Sequence, residues 1–274
     1  MTNDVATHYG TDGLLDRILA ALTQAGKDLN HLTIGDLGLV DEFHSRRRRA
    51  TEELARMLAP SATDHVIDVG SGLGGPSRYL AATYGCRVSG VDLIPEFVTT
   101  STGLTERVGL TEKVDFRQGS ALALPFPDTC FDLAWSQNVA MNIEDKLGMY
   151  REAFRALRPG GRLALSNLCA GAKGDLHFPV PWAQTPATSF LATPDQMRAD
   201  LLAAGFEIVA FRDTTAETLP ATIRNRERLE REGLPRLGTH LIIGDRLLEM
   251  QVNSARNIEE GRGATIEALA RKPV

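Results

Sequence analysis

Val66-Ile67-Asp68-Val69-Gly70-Ser71-Gly72-Leu73-Gly74-Gly75-Pro76-Ser77-Arg78-Tyr79-Leu80 decides how the rest of the chain is read. Its β-branched apolar opening suits a short buried strand. Gly70, Gly72 and Gly74 then break the pattern. Pro76 suits the first turn of a helix, because its missing N–H was unpaired there anyway. The stretch therefore predicts strand, glycine turn, helix. Glycine lets backbone approach a ligand without a Cβ in the way, and a helix N-terminus offers free N–H groups.

Gly70, Gly72 and Gly75 also fit the G-x-G-x-x-G pattern of dinucleotide-binding folds, a weak match when taken alone. Asp68 stands two residues before Gly70. A carboxylate there repels a pyrophosphate and suits an ammonium. Asp92 closes Arg87-Val88-Ser89-Gly90-Val91-Asp92, where a strand-end carboxylate can accept both hydroxyls of a ribose. Ammonium beside ribose describes S-adenosylmethionine (SAM) better than NAD.

The 274 residues are 43% hydrophobic and 24% charged, with a net charge of −5, an ordinary globular composition. An acidic balance argues against a nucleic-acid surface. No apolar run approaches the roughly 18 residues of a membrane helix. Met1-Thr2-Asn3-Asp4 lacks the regions of a signal peptide, and Cys86, Cys130 and Cys169 form no metal pattern. These features predict a cytoplasmic protein with free thiols, no metal, no nucleic acid and no membrane, and are compatible with a homo-oligomer.

Around the glycine turn, strands and helices alternate. Strands are expected at 87–92, 114–118, 131–135, 162–168, 206–211 and 264–270. Helices are expected at 76–84, 95–108, 143–157, 194–204, 217–232 and 241–259, with two more before the turn, Leu14 to Leu22 and 46–58, the second capped by Ser45. Residues 1–10 read as loose. Such alternation predicts a parallel sheet with helices on both faces. Residues 170–193 interrupt it, and a segment that long and irregular is usually a lid, a binding loop or disorder. The chain divides into an N-terminal helical segment (1–60), a core (61–169), a lid-like insertion (170–193) and a C-terminal part (194–274) of one domain.

Together, Val66–Gly75, Asp92, Gly119-Ser120-Ala121, Phe131-Asp132-Leu133-Ala134-Trp135-Ser136 and Leu157-Arg158-Pro159-Gly160-Gly161 resemble the class I SAM-dependent methyltransferases. Trp135-Ser136-Gln137 and Met141-Asn142 are similar to the sarcosine/dimethylglycine N-methyltransferase-like group, which in turn resembles tocopherol and sterol C-methyltransferases. The resemblance implies an α/β, Rossmann-like seven-stranded sheet, mostly parallel, with an antiparallel last strand. It implies that Asp68 lies beneath the turn, that Gly70, Ser71 and Gly72 line the methionine part of SAM, and that Asp92 holds the ribose. Leu93, Ser120 and Ala121 border the adenine, and Gln137 lies near the methionine. Many relatives carry Asp where Ser120 stands, and often His where Asn138 stands.

Methyl transfer from a sulfonium needs positioning and water exclusion more than it needs an acid or base. A neutral amine attacks without losing a proton first, and asparagine is no general base. Asn138 therefore tilts the acceptor towards an amine, with a C- or O-methylated natural product or prenyl-type metabolite as the alternative. An NAD-dependent oxidoreductase is the remote one. The expected catalytic candidates are Asn138 and His177. Asn138, Met141, Asn142, His177 and Trp182 are expected around the acceptor. Aromatics of the insertion can hold a cation. The Arg46–Arg49 run reads as mostly solvated, and His44 as structural or near the SAM carboxylate.

Overall fold

A computed structural model describes residues 13–44 and 46–274. The expected Ser45 cap and the expectation for residues 1–10 lie outside the described residues. The helices that precede the glycine turn are α1 (Leu14–Gln24), the short α2 (Ile34–Leu37) and α3 (Arg48–Leu58).

The expected strand is β1 (His65–Val69), and the turn leads into α4 (Gly75–Tyr84). The core continues through β2 (Arg87–Asp92), α5 (Pro95–Arg107), β3 (Val114–Gln118), β4 (Phe131–Gln137), α6 (Lys146–Ala156) and β5 (Leu157–Ala170). After the insertion come α7 (Pro194–Ala203), β6 (Glu207–Asp213), α8 (Thr215–Glu232), α9 (His240–Ile243), α10 (Leu247–Glu259) and β7 (Gly263–Arg271). The seven strands form one sheet in the order β3-β2-β1-β4-β5-β7-β6. β7 runs antiparallel to both β5 and β6, and the other pairings are parallel.

The period of two explains why β1 is apolar on both sides. Ile67 and Val69 enter one core with Tyr150 of α6 and Leu201 of α7, while Val66 enters another with Leu54, Leu58 and Leu80. β1 is central, and the chain reverses direction across the sheet between β1 and β4. Ligands of open α/β sheets bind at the carboxyl ends of strands at such a switch point. The glycine turn stands there.

Several boundaries differ from expectation: the strand expected at 162–168 runs from Leu157 to Ala170, the helix expected from 46 starts at Arg48, and three more bear on the site. β4 runs on through Ser136 and Gln137, because Gln137 still pairs with Ser166 of β5. The helix expected from 143 begins at Lys146, where the Asp145 carboxylate accepts from Gly148 N at 2.8 Å and caps it. The helix expected over 241–259 is two helices, parted at Gly244 with φ of 92°.

The insertion has a small core of its own. Met141, Val180, Trp182 and Ala183 are buried together, with Leu168, Leu176, Phe178 and Leu191 against them. It is fastened on two sides. Asn142 Nδ2 donates to the carbonyls of Trp182 (2.8 Å) and Thr188 (3.1 Å), Phe190 N donates to Met141 O at 2.8 Å, and Lys146 Nζ donates to Phe190 O. From the other side, α10 supplies Asn253, whose amide donates to Pro179 O at 3.0 Å. Among the described residues, no helix is long and apolar enough to cross a membrane.

Candidate functional site

A cavity of about 580 Å³ opens over the carboxyl ends of β1, β2 and β4. Its floor is the glycine turn. Gly70 N and Ser71 N both donate to Val91 O, at 2.8 and 3.0 Å, which ties the exit of β1 to β2. Gly70 has a φ of 77°, and a Cβ built on it would lie 2.3 Å from Val139. Only glycine fits both demands. Gly72, at φ 54°, has nothing closer to such a Cβ than Phe43 at 3.9 Å, so its surface is open to a ligand.

Asp92 is buried at the end of β2. Its Oδ2 accepts from Gly72 N at 2.8 Å and its Oδ1 from Ile94 N at 3.0 Å. Each oxygen keeps a second lone pair for a ligand. Burial raises its carboxyl above the usual range, against those backbone donors. Asp68 lies deeper and accepts from Ser77 Oγ at 2.5 Å. Burial lifts it to about 7, with the Asp92 charge adding to the effect. A bound cation would offset that cost.

Asp41 and Phe43 lie against the turn: a Cβ on Gly75 would lie 2.4 Å from Asp41 O, and one on Gly72 3.9 Å from Phe43. Asp41 meets Arg78 of α4 in a buried pair at 2.8 Å. Glu42, His44, Thr51 and Gln137 share a buried network. Thr51 Oγ1 lies 2.7 Å from Glu42 Oε2, 3.0 Å from His44 Nε2 and 3.3 Å from Gln137 Oε1. Burial lifts Glu42 to about 7 and, with the neighbouring arginines, pushes His44 down to about 3. His44 is therefore a neutral imidazole with a committed Nε2. Gln137 Nε2 and Ser71 Oγ are buried without hydrogen-bond partners. Buried polar atoms seldom stay unpaired, so both suit a polar ligand.

The arginine run corrects its reading. Only Arg49 is largely exposed. Arg46 is 6% exposed and bridges Glu53 of α3 and Glu267 of β7, while Arg48 pairs with Glu42 at 2.8 Å. Arg47 lines the cavity, spends one N–H on Leu39 O at 3.2 Å, and has no carboxylate partner among the described residues. Its backbone sits at φ 45°.

All of the residues expected at SAM line this one cavity: Asp68, Gly70, Ser71 and Gly72 on the floor, Asp92, Leu93, Ser120 and Ala121 on one wall, and Gln137 at the end of β4. Asn138, Met141, Asn142 and Trp182, expected around the acceptor, line it too. Asn138 holds φ 56° while its N–H donates to Ser166 O at 2.7 Å; asparagine tolerates that region better than most residues. The Asn142 amide group is spent on the insertion's carbonyls, which makes it a fastener of that segment.

His177 is the departure. It is not among the cavity's lining residues. Its Nε2 lies 2.9 Å from Glu260 Oε2, and its backbone N–H and C=O are both clamped by the Asn257 side chain, at 2.7 and 3.0 Å. The ring faces a carboxylate beyond the end of α10, so its place is structural.

One polar part of the lining was not expected from sequence. Thr214, Thr218 and Asn225 come from α8 and the turn before it, Gln251 and Ser254 from α10, and Thr265 from β7. A polar stripe at helical spacing on a buried face was the available signal.

Residues 67–165 match the family described as a methyltransferase domain. A 27-O-demethylrifamycin SV methyltransferase of Amycolatopsis mediterranei is 30% identical over 185 residues, covering 66% of this chain and 68% of that protein. A probable chloroplastic tocopherol O-methyltransferase of Oryza sativa is 37% identical over 133 residues, 47% of this chain and 37% of its own length. The structure of Haemonchus contortus phosphoethanolamine N-methyltransferase 2, in complex with phosphomonomethylethanolamine and S-adenosylhomocysteine, has a TM-score of 0.71 at 20% identity, over 83% of this chain and 53% of that one. The chain thus spans about two thirds of the Amycolatopsis protein's length, about half of the Haemonchus enzyme's and little more than a third of the rice protein's.

Proposed function

The chain belongs to the SAM-dependent methyltransferases, and from that membership we propose that it methylates a small-molecule acceptor at an amine nitrogen. When bound, SAM supplies a methyl group already activated by its sulfonium. What remains for the chain is to hold both reactants in line and keep water out. Asp92 would take the ribose hydroxyls on its spare lone pairs. Leu93, Ser120 and Ala121 would border the adenine. Gln137 Nε2 and the Arg47 guanidinium suit the methionine carboxylate, since both hold unspent donors and both line the cavity with the glycine turn. Trp182 and Phe190 of the insertion would close the cavity above the acceptor.

The observation that carries the amine reading is the outer lining, from Leu168 through Trp182 to Thr214, Gln251 and Thr265. Among the described residues it contains no titratable side chain. A hydroxyl or carbon acid must shed a proton to attack, whereas a neutral amine need not. His44 cannot serve, being committed to Glu42 and Thr51, and His177 lies elsewhere. The second reading, O-methylation, is favoured by the Amycolatopsis and Oryza relatives. It would need a base such as Glu144, the exposed carboxylate at the cavity's edge. The three free thiols support a reducing, cytoplasmic setting for either reaction.

The test is transfer of labelled methyl from SAM to a panel of secondary amines, alcohols and phenols, read by mass spectrometry across pH. The amine reading expects turnover of amines, with a pH midpoint that moves with each amine's own pKa. Turnover of alcohols alone, with one midpoint fixed by the enzyme, would replace it with O-methylation.

A further inference from the structure

We propose that the face shared by α8 and α10 is the acceptor-reading surface, and that it selects an uncharged, hydroxyl- or carbonyl-bearing part of the acceptor over a carboxylate or phosphate. The inference rests on the reading of this cavity as a methyl-transfer site.

Thr218 and Asn225 stand seven apart on α8, and Gln251 and Ser254 three apart on α10, so each pair shares a helix face. All four line the cavity. The two helices are joined there by Asn225 Nδ2, which donates to Gln251 Oε1 at 3.1 Å. That bond commits the Gln251 oxygen and leaves its amide N–H groups as donors.

A second run of bonds ends at Thr218. Thr214 Oγ1 lies 3.1 Å from both Thr265 O and Thr265 Oγ1, and Thr265 Oγ1 donates to Thr218 Oγ1 at 3.0 Å. Thr218 is 3% exposed, accepts in that chain, and keeps its own proton. Ser254 Oγ is buried with no partner. Leaving a buried hydroxyl unpaired is costly, so this surface is incomplete without a polar ligand.

The unspent groups are thus Gln251 Nε2, Thr218 Oγ1 and Ser254 Oγ, all of them neutral donors. They match the lone pairs of a hydroxyl or carbonyl oxygen. An anion placed there would lose its water and meet only neutral donors among the lining residues of α8, α10 and β7. Neighbouring arginines do not change this. Arg46 is consumed by Glu53 and Glu267, Arg228 spends an N–H on Asn225 Oδ1 at 3.2 Å and does not line the cavity, and Arg47 spends one on Leu39 O.

The test uses matched secondary amines that differ only in their end group: 2-(methylamino)ethanol, sarcosine and phosphorylated 2-(methylamino)ethanol. Each is offered to the full chain with SAM, and methyl transfer is read by mass spectrometry. The proposal expects the hydroxyl member to exceed both anions at least ten-fold in kcat/KM. It expects Ser254→Ala with Gln251→Leu to remove that preference while the Kd for SAM, by calorimetry, stays within two-fold. Ser254→Ala alone, which removes one oxygen, is expected to raise the KM of the hydroxyl member without moving the SAM Kd. Preference for either anion overturns the proposal and moves selection to Arg47. Survival of the hydroxyl preference in the double variant overturns it as well. If amines are silent and neutral alcohols are methylated, the amine reading fails alone. The same comparison is then made between an alcohol series and its carboxylated and phosphorylated members, with the same two outcomes.

Discussion

Replacing Asp92 by Asn separates two duties that meet in one carboxylate. Asp92 accepts from Gly72 N and Ile94 N, one on each oxygen, and so shapes the turn whether or not a ligand is present. Asparagine keeps one oxygen, so one backbone N–H loses its acceptor and faces an NH₂ group. Leaving such a donor unmatched costs about 1–3 kcal/mol of stability. The ribose contact adds a second loss. A diol that used both carboxylate oxygens would keep one, at a further cost of about 1–3 kcal/mol in binding, or roughly 5- to 150-fold in Kd. Thermal denaturation without ligand reads the first loss. Calorimetry with SAM, at a temperature where the variant is folded, reads the second. A variant that melts earlier yet binds SAM within two-fold of the parent would leave Asp92 as a turn former only. The ribose assignment would then be wrong.

Three further outcomes are expected. Gly70→Ala forces a Cβ into Val139 at a backbone conformation with φ of 77°, and should abolish measurable SAM binding or folding; near-parental affinity by calorimetry would refute the tight-turn argument. His177→Gln should lower the melting temperature by loosening residues 170–193 from α10, and leave the shape of the pH–rate profile unchanged; loss of a titrating limb would restore His177 as a base. Asp68 is held protonated by burial up to about pH 7, well above its unfolded value near 3.9, so its contribution to stability is full below about pH 4 and fades as pH rises through 7. Relative to Asp68→Asn, the parent's unfolding constant should therefore rise by up to about ten-fold per pH unit across that window, and a pH-independent difference in denaturant melts would contradict this.

The glycine turn, Asp92 and the alternation of strands and helices were legible because their causes are local. A strand that must be apolar on both sides, a backbone that must take positive φ, and a carboxylate at a strand end all leave marks within a few residues. Partners far along the chain leave none. The Arg46–Arg49 run looked solvated because four adjacent cations on a helix diverge. Arg46 instead precedes α3 and reaches Glu267, 221 residues away, where an acidic residue inside β7 needs a cation. His177 looked functional because it sits in an irregular segment at the carboxyl edge of the sheet. Its neighbour Glu260, 83 residues on, assigns it to fastening.

Asn142 shows why residue type alone does not settle a site. An amide beside a methyl-transfer cavity can hold an acceptor or hold the wall around it, and both uses need the same donors at the same place. The choice is made by what lies within 3 Å. Here the donors meet the carbonyls of Trp182 and Thr188 at 2.8 and 3.1 Å, so the amide organises the insertion, and through it the Trp182 ring in the cavity wall. The opposite wall reverses the case. Thr218, Gln251 and Ser254 are residue types that attract no attention in a helix, yet their donors meet no protein acceptor. On the proposed reading, selection of the acceptor belongs to the helices that follow the sheet's alternating core, while binding of the methyl donor belongs to the glycine turn and the strand ends. The first can change by surface substitution on α8 and α10 without disturbing β1 or β2.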